Sequence, residues 1–273
     1  MTNKLSRDVV AYCEKYNIPI GHLVDVISDL KVIPMIRGKA FEFSAADRLR
    51  SMLNRKTWLV RQLLLNAQQG THDIDVSVKR IRDNKEVKVE CKLAKNGSFR
   101  IVSNGGCELR VKCMRSRTFS DNEAATRMAN HYRIPREMLL MHADSYRESD
   151  FDCVLTSVGN AFWTSEESGK YTFNGRKEQY KLFKKLFPKH FTTFEHFQKE
   201  TYDFLLIARS KDLCVYTQNG VECTRRKCMR NGTQANCGFI TNYPIVDLKA
   251  VAEGTSVWKT IDDAESVLNN QLS

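Results

Sequence analysis

The chain has 273 residues, of which 43 are Lys or Arg and 32 are Asp or Glu, for a formal net charge of +11. Hydrophobic residues make up 42% and charged residues 27%, which excludes wholesale disorder and fits one large domain or a core with a smaller appendage. No apolar run approaches the roughly 18 residues of a membrane helix, and the positive balance favours an anionic partner, nucleic acid foremost.

The stretch up to Tyr16 is charged throughout and has no apolar leader core, so a reducing cytoplasm and mostly free thiols are expected for the nine cysteines. Val9, Val10 and Cys13, then Leu23, Val26, Ile27 and Leu30, recur at helical spacing. They predict helices over residues 5–16 and 21–31, separated by Pro19, within an N-terminal helical segment of residues 1–36. After Gly38, the residues Phe41, Phe43, Leu49, Met52 and Leu53 predict a helix ending near Asn54. Residues 57–65 are strand-like, and Gln68-Gln69-Gly70 reads as a turn.

Residues 73–81 alternate, with Asp73, Asp75 and Ser77 opposite Ile74, Val76 and Val78. Arg82-Asp83-Asn84-Lys85 reads as a hairpin turn. Residues 86–93 then alternate again, with Glu86, Lys88, Glu90 and Lys92 opposite Val87, Val89, Cys91 and Leu93. A strand over 107–114, a helix over 121–132 capped by Ser120, and apolar strands over 151–158 and 204–208 are expected. Residues 176–187 predict a helix with a basic face, and Phe191, Phe194 and Phe197 form a helical stripe that reads as core. The order helix, strand, hairpin, strand, helix, strand predicts an α/β fold with a mixed central sheet flanked by helices.

The informative stretch is His72-Asp73-Ile74-Asp75-Val76, followed after thirteen residues by Glu90-Cys91-Lys92. Residues two apart on a strand share a face, so Glu90 and Lys92 point together. A hairpin returns the preceding strand so that Asp75 or Asp73 lies beside Glu90. Two carboxylates and the Cys91 carbonyl are hard oxygen donors suited to Mg²⁺. An ammonium beside them orients a water and offsets negative charge at phosphorus. A hairpin face of alternating charges is also what ordinary solvation produces. Three similar triplets, Asp29-Leu30-Lys31, Glu86-Val87-Lys88 and Asp247-Leu248-Lys249, lack the full setting of flanking apolar strand, preceding acidic strand and upstream helical glutamate.

Asp75, Glu90 and Lys92, with Glu42 upstream in Gly38-Lys39-Ala40-Phe41-Glu42-Phe43, resemble the PD-(D/E)xK nuclease superfamily, most closely its type II restriction endonucleases. The resemblance covers about residues 38–92. No proline precedes either aspartate, so Asp73 remains an alternative to Asp75. By that resemblance Asp75 and Glu90 hold the metal, Lys92 positions the attacking water, and Glu42 supports the site or a second ion. It implies a restriction-endonuclease-like core and a catalytic domain over residues 37–273, with DNA-binding and dimerisation elements at its C-terminal end. It further implies Mg²⁺ as cofactor, double-stranded DNA as substrate, a homodimer, no membrane, and a bacterial, archaeal or viral origin.

The expected DNA contacts are Lys95, Asn96, Ser98 and Arg100, then Arg115, Ser116 and Arg117, then Arg225, Arg226, Lys227 and Arg230. Arginine suits guanine and phosphate, and asparagine suits adenine. Cys214, Cys223, Cys228 and Cys237 offer four thiols that could hold zinc, but without the tight spacing of a zinc knuckle they read as free cysteines in preference. Cys91 reads as a strand core residue and not a nucleophile. Two other functional readings stay open: a repair or recombination nuclease of the same fold, and a basic DNA-binding protein without catalysis.

Overall fold

The computed structural model describes residues 4–62, 74–102, 105–115, 122–168, 170–199, 202–214 and 238–273. Helices α1 (Lys4–Lys15) and α2 (Leu23–Ser28) flank a single 3₁₀ turn after Pro19. They bury only Cys13 and leave Val10, Val24 and Ile27 exposed. Helix α3 (Ile33–Met52) follows. It starts ahead of Gly38, where the sequence placed its beginning. Pro34 sits in its first turn, where a missing N–H costs nothing and the fixed φ suits a helix. The helix runs unbroken across residues 36 and 37. Phe41, Ala45, Ala46 and Leu49, at helical spacing, are its buried face.

The predicted hairpin forms between β2 (Val76–Arg80) and β3 (Glu86–Cys91), with β1 (Trp58–Arg61) antiparallel on the other side of β2. In the turn Asn84 adopts a left-handed φ of 61°, a conformation that asparagine tolerates. Arg80 closes the turn by pairing with Asp83 at 2.6 Å. The chain continues through β4 (Arg100–Ile101), β5 (Cys107–Arg110), α4 (Asn122–Tyr132) and α5 (Arg136–Met141) to β6 (Cys153–Ser157). The strand expected over 107–114 stops at Arg110, because Val111 N–H and Cys113 N–H turn to the carbonyls of Pro244 and Asn242.

A hairpin of β7 (Trp163–Ser165) and β8 (Tyr171–Phe173) leads into α6 (Lys177–Leu186), α7 (Phe194–Lys199) and β9 (Leu205–Arg209). The chain ends with β10 (Ile245–Asp247), α8 (Leu248–Ala252), β11 (Lys259–Thr260) and α9 (Ala264–Leu272).

The fold is α/β with a mixed six-stranded sheet in the order β1-β2-β3-β6-β9-β11. Its β3–β6 pair is parallel and the others are antiparallel. Alternating residues of β6 and β9 feed two cores. Cys153, Leu155, Leu205 and Ile207 face α3 and α9, whereas Val154, Leu206 and Ala208 face α6, α7 and the small β10-β5-β4 sheet. Phe191 lies ahead of α7 with a left-handed φ of 50°, and both Phe191 and Phe197 are buried. They surround Phe183, whose ring centroid is 5.0 Å from that of Phe204. Among the described residues no helix is long and apolar enough to cross a membrane.

Phe183 is fully buried, so Phe183→Ala leaves a cavity and is expected to lower stability by about 3–5 kcal/mol, read from the urea unfolding midpoint.

Candidate active site

The end of the β2–β3 hairpin gathers the acids. Asp75 stands one residue before β2, and its Oδ2 accepts the Cys91 N–H at 2.7 Å. That bond extends the pairing of Val76 with Val89 and sets Asp75 beside Glu90. Glu90 is 7% exposed. Its Oε1 takes both the Lys92 Nζ at 2.6 Å and the Tyr146 hydroxyl at 3.2 Å. Lys92 follows β3 directly, and its backbone N–H donates to the Leu155 carbonyl at 2.8 Å. The parallel pairing with β6 therefore reaches as far as Lys92 and fixes where its side chain leaves the sheet. Its ammonium also lies 4.9 Å from the Tyr146 ring centroid, a cation–π contact.

Glu42 projects from α3 and pairs with Lys39 one turn earlier. Glu42, Asp75, Cys91 and Lys92 line one cleft of about 490 Å³, together with Arg37, Lys95, Asn96, Lys112, Tyr171 and Tyr243. Glu90 is held behind Lys92 and Tyr146 and does not line it.

The electrostatics follow from crowding. Burial, then the charges of Glu90 and Glu42, push the Asp75 carboxyl up to about 8, against the pull of Lys92 and the Cys91 N–H. For Lys92, burial works against its charge, but Glu90, Tyr146 and Asp75 outweigh it and hold the ammonium firmly protonated. Burial pushes the Tyr146 hydroxyl up to about 12. Burial likewise drives the Cys91 thiol well above its usual range, so it stays a thiol, as a strand core residue would.

Among the described residues no three His, Cys, Asp or Glu side chains come together as a ready-made metal cage. Mg²⁺ does not require one. It binds through one or two carboxylates and keeps several waters. Asp75 and Glu90 supply hard oxygens at the end of one hairpin, and the acid crowding that traps a proton on Asp75 is the field a dication relieves. The donor set fits such an ion. Asp73, the alternative ligand, lies outside the described residues, as do Ser116, Arg117, Arg225, Arg226, Lys227 and Arg230.

The remaining expected DNA contacts divide. Lys95 and Asn96 line the cleft. Ser98 instead bonds the backbone of Arg110, Arg100 pairs with Glu108, and Arg115 pairs with Asp150 at 2.6 Å while its Cζ lies 5.4 Å from the Tyr146 centroid. Of the cysteine cluster, only Cys214 is described, and its buried thiol donates to Glu148 and Ser210. The three rival triplets have local tasks. Asp247 caps α8, Asp29 accepts the Lys31 N–H, and Glu86 accepts from Ser77. Sequence reasoning missed Arg37, Tyr146 and Asn160. Each joins the site across a long chain separation, 56 residues for Tyr146 with Glu90 and 123 for Arg37 with Asn160, so no local pattern marks them.

A scan against protein-family models matched none, and neither a curated protein nor a solved structure matches the chain.

The raised Asp75 carboxyl carries a sign. Between pH 4 and pH 8 the folded chain holds a proton that the unfolded chain has released, so this group costs stability as pH rises through that range. Asp75→Asn removes the effect. In EDTA its melting temperature is expected to match the wild type near pH 4 and to exceed it by a widening margin toward pH 8, with a constant gap as the contrary result.

Proposed function

We propose that the chain is a Mg²⁺-dependent endonuclease acting on double-stranded DNA in the manner of type II restriction enzymes. The observation that carries this reading is the meeting of Asp75, Glu90 and Lys92 at the end of one hairpin, with Asp75 and Lys92 lining the same cleft as Glu42. The order α3, β1, β2, β3, then β4 and β5, then two helices and β6 agrees with the restriction-endonuclease-like core that the motif implies, with β4 and β5 inserted after β3.

Asp75 and Glu90 would hold the ion, with the Cys91 carbonyl as a further donor. When bound, Mg²⁺ supplies Lewis-acid polarisation of a phosphoryl oxygen. Lys92 stays protonated, so it does not serve as the base. It has three N–H donors, one of them on Glu90, and the others are suited to orient the attacking water and to offset charge at phosphorus. Tyr146 fixes Glu90, and Glu42 adds to the negative field at Asp75. The water oxygen attacks phosphorus and the bond to the 3′ oxygen breaks, leaving a 5′-phosphate and a 3′-hydroxyl. Cutting both strands calls for two such sites, hence a two-fold homodimer. The six described cysteines, all free and buried, agree with a reducing cytoplasm.

A second reading has its own support. Asp75 and Glu90 already have protein partners, as they would in a basic DNA-binding protein without catalysis. Digestion of unmodified phage DNA with Mg²⁺ or Mn²⁺, followed by end sequencing, separates the two. Discrete bands, abolished by EDTA, are expected. Lys92→Ala is expected to lose about 10²–10⁴-fold in cleavage rate while binding DNA as the wild type does. Binding without cleavage by the wild type would favour the non-catalytic protein, and cutting confined to branched or nicked DNA would favour a repair nuclease.

A further inference from the structure

Arg37 stands on α3 and lines the same cleft as Asp75 and Lys92. Its guanidinium is fixed from several sides. Nη2 donates to Asn160 Oδ1 at 2.7 Å, and Cζ lies 4.6 Å from the Tyr171 ring centroid and 5.4 Å from that of Trp163. Asn160 is 4% exposed and cannot turn, because its Nδ2 donates to the Ala94 carbonyl at 2.6 Å and to Asn96 Oδ1. Below, the Tyr202 hydroxyl donates to the Arg37 carbonyl at 3.2 Å and pins this turn of the helix.

The arrangement holds a cation without neutralising it. A guanidinium carries five N–H donors in a rigid fork. One is engaged among the described residues, by a neutral amide, and no described carboxylate lies within ion-pair distance. A half-buried charge aimed into a cleft and left without a counter-charge is costly unless an anion arrives there. Lys95 and Lys112 line the same cleft, the former with its ammonium 5.1 Å from the Tyr243 ring centroid.

We infer that Arg37 grips a backbone phosphate of the nucleic-acid strand that enters this cleft, next to the phosphodiester facing Lys92. The choice of nucleic acid as the phosphate source rests on the nuclease reading. Arg37 itself is a binding and positioning residue, distinct from the groups that act on the reacting atoms.

The test is the salt dependence of binding. A short fluorescein-labelled DNA duplex is titrated by anisotropy in EDTA, across a salt series, with wild type, Arg37→Gln, Arg37→Lys and Arg127→Ala. Arg37→Gln keeps an amide donor for Asn160 and is expected to weaken binding about tenfold and to reduce the slope of log Kd against log salt by about 1. Arg37→Lys retains the charge but loses the fork, so the slope stays and affinity falls about threefold. Arg127→Ala, on α4 and paired with exposed Glu123, changes neither.

The inference is overturned if a folded Arg37→Gln, checked by thermal melting, keeps the wild-type slope, or if Arg37→Lys binds as the wild type does. It is overturned too if the wild type binds no duplex, or if the variants alter binding of inorganic phosphate or a mononucleotide only. Cleavage in Mg²⁺ is measured in parallel. A protein that cleaves but shows no slope change sinks the Arg37 assignment alone. A protein that shows the slope change without cleaving sinks the nuclease reading alone.

Discussion

One hydrogen bond organises the site: the Asp75 carboxylate on the Cys91 amide. β2 begins at Val76, so Asp75 lies just outside the strand ladder, and this bond is what ties it there. With it, a side chain takes the place of a ladder carbonyl at the hairpin's end. The acid is then tied to the residue between Glu90 and Lys92. Burial and repulsion from the charges of Glu90 and Glu42 favour a proton on that carboxyl, and the Cys91 N–H works against them while fixing where its Oδ2 sits.

That repulsion explains why the remaining partners are where they are. Glu90 is nearly closed off from solvent and would be intolerable alone. Lys92 neutralises it, and the Tyr146 hydroxyl fills a further position on the same oxygen. Tyr146 also offers its ring to Lys92 and Arg115, whose acids are Glu90 and Asp150 respectively. The protein thus keeps a fixed ammonium charged at every ordinary pH while leaving a neighbouring carboxyl near its midpoint. Perturbed pKa values in adjacent groups mark a candidate functional site, and structural ion-pair networks produce them as well.

The sequence made the hairpin legible because its two strands alternate without a break, and the burial of Val76, Val78, Val87 and Val89 follows that alternation. The Asp75, Glu90 and Lys92 grouping was legible for the same reason, since strand period and turn chemistry bring them together unaided. The start of α3 was not, because Gly38 read as its beginning although glycine is tolerated mid-helix, and the helix in fact starts at Ile33 with Pro34 in its first turn. Charge was visible but its use was not. Arg100 and Arg115 resemble free DNA contacts in a string of letters, yet each spends its charge on an acid of its own chain, at Glu108 and Asp150. Tyr146, Asn160 and Arg37 could not be read at all. Their roles come from the crossing of distant segments, which no local pattern in the sequence records.

The parallel seating of β3 against β6 has one more consequence. Adjacent parallel strands oblige the chain to leave the sheet and return, and here the excursion carries Lys95, Asn96, Lys112 and the small β10-β5-β4 sheet's first two strands. The cleft lining is therefore shared: Lys95, Asn96 and Lys112 come from the excursion, while Arg37, Glu42 and Asp75 come from elements that precede it. Substitution at Lys95 or Lys112 would reshape that part of the cleft and leave the β3–β6 register intact. Tyr146 travels on the same excursion and holds Glu90, so wholesale replacement of the insert would also disturb the acidic cluster that the hairpin presents.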